Sequence, residues 1–141
     1  MSTKSSKIQI QHHGGPSVME WVDVEVAAPA ANEVQIEQKA VGLNFIDIYF
    51  RTGLYDHPLP HGLGFEASGI VTAVGSEVSH LKVGDRVAYG QSPIGAYALL
   101  RNMPAFQVVK LPEQISFEEG AAIMLKGLTA WYLLRQTYRV Q

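Results

Sequence analysis

The chain has 141 residues, 47% of them hydrophobic, a formal net charge of −2 and no cysteine. That length suits one domain with its own core, and the scattered charge lacks the basic stripe a phosphate backbone requires, so nucleic acid is not an expected partner. No apolar run approaches the ~18 residues of a membrane span, the polar start MSTKSSK lacks the apolar core of a secretory signal, and the lack of cysteine removes disulfides and thiolate metal sites and suits the cytoplasm.

Thirteen glycines and seven prolines punctuate the chain, a spacing that favours many short strands. Ile8 and Ile10 alternate with polar neighbours, and His13-Gly14-Gly15-Pro16 reads as a turn. Val22, Val24 and Val26 alternate with Asp23 and Glu25, as a half-buried strand does, and Val34 and Ile36 repeat the pattern after a loop from Pro29 to Asn32. The period then changes. Phe45, Ile48 and Tyr49 stand at i, i+3 and i+4, with Gly53 placed as a C-cap, which predicts a short helix from Asn44 to Thr52. The stretch from Leu54 to Leu63, with its prolines and histidines, reads as a loop. Glu66 to Val74 is small and β-branched, hence a buried strand, and Val83-Gly84-Asp85-Arg86-Val87 is a turn feeding another.

Ala96 to Leu100 and Phe106 to Leu111 are predicted as two more strands, ended by Pro112. Ser116 with Glu119 three residues on forms a capping-box pattern. The helix it opens carries Ala121, Leu125, Leu128 and Trp131 at helical spacing, with Gly127 as a point where it could kink. Several short strands followed by a helix predict a β-barrel or sandwich with a terminal helical arm.

Four ordered segments carry a resemblance. They are Gly42-Leu43-Asn44-Phe45-Ile46-Asp47-Ile48-Tyr49 running on to Arg51-Thr52-Gly53-Leu54-Tyr55, then Gly64-Phe65-Glu66-Ala67-Ser68-Gly69-Ile70-Val71 with Val74-Gly75, then Gly84-Asp85-Arg86-Val87, and finally Gly127-Leu128-Thr129-Ala130. Together they resemble the catalytic domain of the medium-chain dehydrogenase/reductase superfamily, and the first most resembles its zeta-crystallin-like quinone oxidoreductase branch. The resemblance implies a mainly β, GroES-like barrel over residues 1–115. It also implies a helical linker over 116–141 toward a Rossmann domain, NADPH as reductant and a quinone as acceptor. Zinc-dependent relatives carry Cys where this chain has Asn44 and His where it has Phe65, and neither replacement is a zinc ligand. The chain contains no strand–glycine loop–helix phosphate site of its own. The reading is therefore of a domain separated from its dinucleotide-binding partner, with the stripe from Ala121 to Trp131 left for that partner or a second copy to cover.

By the same resemblance Asn44, Tyr49 and Thr129 are the catalytic groups. Asn44, Phe45, Ile46, Asp47, Tyr49, Lys126 and Thr129 face the cofactor, and Tyr55 and Phe65 line the acceptor pocket. Chemistry alone leaves simpler readings open. Asn44 suits a helix N-cap, Tyr49 a core aromatic with a wet hydroxyl, Thr129 a helical threonine bonded to its own backbone, and Lys126 a solvated cation. Asp47 is positioned to pair with Arg51 at i+4, and Glu66, a carboxylate in a strand of small residues, needs a cation such as Arg86 or Arg51. His57 with His61, and His12 with His13, read as exposed loop histidines rather than ligands.

Two other functions remain open: a GroES-like binding or structural module without chemistry, and a reductase of enals or other activated alkenes. The ligand argument has a direct test. Elemental analysis of the purified protein is expected to find no stoichiometric zinc, and one zinc per chain overturns it.

Overall fold

The computed structural model describes residues 2–91 and 93–138; the last residues of the expected 116–141 linker, 139–141, lie outside them. Strand β1 (Thr3–Ile10) pairs antiparallel with β2 (Glu20–Val26), from Thr3 opposite Val26 to Gln9 opposite Glu20. The polar N-terminal residues are thus part of a strand, because the β1–β2 pair is half-exposed. A short β4 (His61–Gly62) borders the other side of β1 and completes a three-stranded sheet. The second sheet holds β3 (Glu33–Gly42), β5 (Glu66–Val74), β6 (Arg86–Gly90), β7 (Leu100–Pro104) and β8 (Val109–Lys110), in the order β7-β3-β5-β6-β8. The mainly β, GroES-like expectation holds, with its strands in two sheets rather than one closed ladder.

The core lies on the five-stranded sheet, where Val34, Ile36, Val71, Val87, Tyr89 and Met103 are buried together. Burial pushes the Tyr89 phenol up to about 12. It stays neutral and donates its proton to Gln38 Oε1. That bond turns the Gln38 amide nitrogen toward the carbonyls of Ala96 (2.7 Å) and Ala98 (2.6 Å). Here lies the reason for one difference from expectation. Ala96 to Leu99 is not a strand: two of its carbonyls bond a side chain instead of a neighbouring strand, and only Ala98 makes a bridge, to Lys7, before Leu100 opens β7. The second strand expected nearby, Phe106 to Leu111, is likewise a 3₁₀ turn (Ala105–Gln107) followed by two residues of β8. In the predicted loop before Leu63, His61 and Gly62 pair with Ile10 and Gln9.

Helix α1 (Phe45–Thr52) has the predicted bounds, with Asn44 as N-cap and Gly53 as C-cap in the left-handed region at φ 80°. Helix α2 (Phe117–Tyr132) begins with the predicted capping box: Ser116 Oγ accepts from Glu119 N–H (3.1 Å), and Glu119 accepts from Ser116 N–H (2.8 Å). Arg86 holds the approach to it by donating to Pro112 O (2.8 Å) and Ile115 O (2.7 Å), while its guanidinium lies 4.5 Å from the Phe117 ring centre. The helix runs through Gly127 without a break, and a π-helical turn (Leu133–Thr137) follows. Ala121 is buried, but Ile123, Leu128 and Trp131 are exposed, Trp131 by 55%. No helix among the described residues is long and apolar enough to cross a membrane.

α2 can lie against the sheet because β6 ends in glycine. A Cβ on Gly90 would stand 2.7 Å from Leu125 N and 2.9 Å from Met124 Cβ, closer than packed atoms tolerate. Gly90→Ala is expected to lower stability by about 1–3 kcal/mol, read from the urea midpoint. A wild-type midpoint would show that α2 is not held this closely.

Candidate functional site

β3 leaves the core sheet at Gly42 and turns through Leu43 and Asn44 into α1, while α2 crosses the same end of the sheet. Between the two helices lies a cleft of ≈ 660 Å³. Its apolar walls come from Leu43, Phe45, Ile46 and Ile48 on one side and from Leu125, Ala130 and Leu133 on the other. Three polar side chains break this lining: Asn44, Lys126 and Thr129.

Behind the cleft sits Glu66, the first residue of β5 and opposite Gly42 in the ladder. It is 0% exposed. Its Oε2 accepts from Asn44 Nδ2 (2.8 Å) and from Lys126 Nζ (3.0 Å), and its Oε1 accepts from Leu125 N–H (2.8 Å). The buried carboxylate is therefore paired as required, but with Lys126, neither Arg86 nor Arg51. Arg86 is committed to the carbonyls before α2, and Arg51 Nε donates to Gly14 O at 3.2 Å. Lys126 is a half-tethered cation, its side chain 53% exposed. A Cβ on Gly42 would stand 2.3 Å from Glu66 Oε2 and 2.3 Å from Ala121 O, so glycine there leaves room for the carboxylate and for α2 together.

Asn44 is the N-cap of α1 and also lines the cleft. As N-cap, its N–H donates to Asp47 Oδ2 (2.9 Å), the return half of a capping box, while its side-chain amide reaches Glu66. Thr129 also behaves as chemistry alone suggests, its hydroxyl donating to Leu125 O at 2.8 Å. Its oxygen keeps acceptor capacity on the cleft wall.

Asp47 does not pair with Arg51 on the surface. It is 2% exposed and lies behind Asn44. Its Oδ2 also accepts from the Tyr97 hydroxyl at 2.8 Å, while Oδ1 is buried with no partner. Nothing in the sequence pointed to Tyr97, which stands 50 residues further along the chain. Tyr49 is not among the cleft-lining residues. It packs edge-on to Tyr55 with ring centres 5.3 Å apart, and Phe50 touches Tyr55 (5.6 Å) and Phe65 (5.3 Å). Tyr49, Tyr55 and Phe65 thus share one aromatic cluster, with Phe65 6% exposed.

His57 and His61 join that cluster, with ring centres 4.9 Å apart. His61 is not an exposed loop residue but is 6% exposed, because β4 draws it against Ile10 and Phe50. Among the described residues no three His, Cys, Asp or Glu side chains gather closely enough to hold a metal ion.

The two buried carboxylates differ in how fully they are met. Burial holds the Asp47 carboxyl above its ordinary 3.8, and the Asn44 N–H and Tyr97 bonds only partly oppose this. Burial, and then Asp47 itself, pushes the Tyr97 phenol up, so the hydroxyl remains the donor. The folded chain therefore keeps the Asp47 proton to higher pH than the unfolded chain does. Below 3.8 Asp47 adds no pH dependence. As pH rises from there through the raised value, ionising it disfavours the fold. Urea unfolding across pH 4–7 is expected to show wild-type stability falling relative to Asp47→Asn as pH rises, and parallel curves overturn this.

Comparison with known proteins places this geometry in a family. Residues 30–113 match the alcohol dehydrogenase GroES-like domain. Quinone oxidoreductase 1 of Escherichia coli (strain K12) is 54% identical over 138 residues, which is 97% of this chain and 42% of that protein. A 2-haloacrylate reductase of Burkholderia sp is 40% identical over 139 residues, covering 94% of this chain and 41% of the relative. The crystal structure of the Escherichia coli quinone oxidoreductase complexed with NADPH superposes with a TM-score of 0.94 at 54% identity, over 96% of this chain and 42% of that one. The chain thus spans less than half the length of these relatives. Fold and sequence agree on one assignment: this chain belongs to the alcohol dehydrogenase GroES-like domain family.

Proposed function

We propose that the chain is the acceptor-side domain of a zinc-independent oxidoreductase in which NADPH reduces a quinone in the cytoplasm. In this reading residues 1–115 form the GroES-like domain and 116–141 lead toward a dinucleotide-binding domain. The observation that carries it is the convergence of Asn44, Lys126 and Thr129 on one apolar-walled cleft. A domain used only as a scaffold has no need to place an amide, an ammonium and a hydroxyl together at the mouth of a greasy slot. The exposed face of α2 at Leu128 and Trp131 supports a covering partner, and a second copy could share that role.

The polar set suits a nicotinamide. A carboxamide both donates and accepts, and the cleft offers both functions: Thr129 Oγ1 and the Asn44 carbonyl accept, while Asn44 and Lys126 donate. When bound, NADPH supplies the hydride. The chain's own residues do the rest. The apolar walls exclude water, which strengthens each polar contact inside. The Lys126 ammonium draws electron density toward an acceptor oxygen and stabilises the negative charge that reduction places there. Asn44 and Thr129 orient the ring. The cysteine-free sequence and the lack of any three gathered ligand side chains among the described residues support chemistry without zinc. Tyr49 and the exposed Tyr55 offer ring faces on which a planar acceptor can stack, and the buried Phe65 backs the cluster through Phe50.

A second reading, reduction of an activated alkene, is favoured by the similarity to a 2-haloacrylate reductase. Both readings need the same cleft and differ in the acceptor. The test is NADPH oxidation by the complete polypeptide with 1,4-benzoquinone and, separately, 2-chloroacrylate. The quinone is expected to be the faster substrate. Thr129→Val and Tyr49→Ala are each expected to lower kcat/KM by about tenfold, or ~1.4 kcal/mol, with folding unchanged. A faster chloroacrylate reaction selects the second reading, and no NADPH-dependent turnover of either compound sinks both.

A further inference from the structure

We propose that Glu66 is a positioning residue, whose carboxylate decides which atoms Asn44 and Lys126 turn toward the cleft. The inference rests on the reading of that cleft as a reduction site. Glu66 is fully buried, and a buried carboxylate tolerates only donors around it. It meets three, from the N-cap of α1, the backbone of α2 and a side chain of α2.

Each contact has a consequence on the cleft side. Asn44 has two unlike ends, and an ionised carboxylate only accepts, so the nitrogen is drawn inward. The Asn44 carbonyl and its second amide proton are left for whatever enters the cleft. Lys126 would otherwise roam through solvent on a flexible stem. Held at 3.0 Å by Glu66, its head is kept at one point of the wall, with its other protons directed away from the carboxylate. The bond from Leu125 N–H fixes the turn of α2 that presents both Lys126 and Thr129. The pair is also neutral as a unit, so the cleft gains a placed donor without gaining net charge. Glu66 itself is not among the cleft-lining residues and acts through the groups it holds.

A carboxylate that merely clamped α2 to the sheet would stabilise the fold and leave the cleft chemistry to others. Glu66→Gln separates the two roles. Glutamine keeps the size but turns one acceptor into a donor, so one of the three N–H groups must face another N–H. In the complete enzyme, Glu66→Gln is expected to lower kcat by about tenfold or more while KM for 1,4-benzoquinone moves less than about threefold. In an Asn44→Ala/Lys126→Met background the same change is expected to cost less than about threefold. Wild-type kcat in Glu66→Gln, or an equal loss in both backgrounds, overturns the proposal.

If Glu66→Gln does not fold, Glu66→Asp keeps the charge on a shorter stem and is expected to lose kcat in the same way; wild-type turnover there overturns it too. A substrate-free readout stands apart from the functional reading. In a ¹⁵N spectrum of this chain the Asn44 side-chain amide is expected to shift in Glu66→Gln and in Glu66→Asp. An unmoved resonance overturns the proposal, whereas a wild-type enzyme without NADPH-dependent turnover sinks only the functional reading.

Discussion

A single buried charge organises this end of the molecule. Glu66 opens a strand of small residues at the centre of the five-stranded sheet, with no solvent on either side. A carboxylate there is unfavourable unless every lone pair that matters is met, and the donors that meet it come from elements far apart in the chain. The N-cap of α1 precedes it by 22 residues, and the donors of α2 follow it by 59 and 60. Satisfying one group therefore requires both helices to be in place. The glycines opposite, Gly42 and Gly90, allow the approach. Meeting this buried carboxylate and building the cleft are thus the same event.

Asp47 shows what happens when a neighbouring carboxylate is met less completely. It caps α1 and receives Tyr97, yet one oxygen is left without a partner, and burial holds its carboxyl above the ordinary range. Glu66 and Asp47 flank Asn44 from two sides, one through the side chain and one through the backbone. Between them the residue has little freedom left. This double hold makes Asn44 at once a helix cap and a cleft residue, two positions that its residue type and place leave compatible.

The aromatic cluster of Tyr49, Phe50, Tyr55 and Phe65 lies beside the cleft rather than in its lining. It is joined by His57 and His61, which a local reading assigns to solvent. Those histidines stand in a proline-rich stretch with no regular period, and only the pairing of β4 with β1 turns His61 inward. On α2 and its π-helical extension the apolar side chains of Ile123, Leu128, Trp131 and Leu133 are exposed.

Much of this was legible in the residues themselves, where the deciding forces are local. The bounds of α1, the capping box of α2 and the strand from Glu66 to Val74 follow from side-chain period, capping chemistry and β-branching within a few positions. The ordered segments from Gly42 to Thr129 carried the family. What the sequence could not decide were interactions between distant parts of the chain: that Glu66 would take Lys126 and not an arginine, that Tyr97 would reach Asp47, that Gln38 would take carbonyls a strand would otherwise have used, and that Tyr49 would pack with Tyr55 while Asn44 and Thr129 shared a cleft. Each depends on which groups meet after the sheets have closed and water has left, when a buried polar atom bonds whatever donor or acceptor the packing brings within about 3 Å.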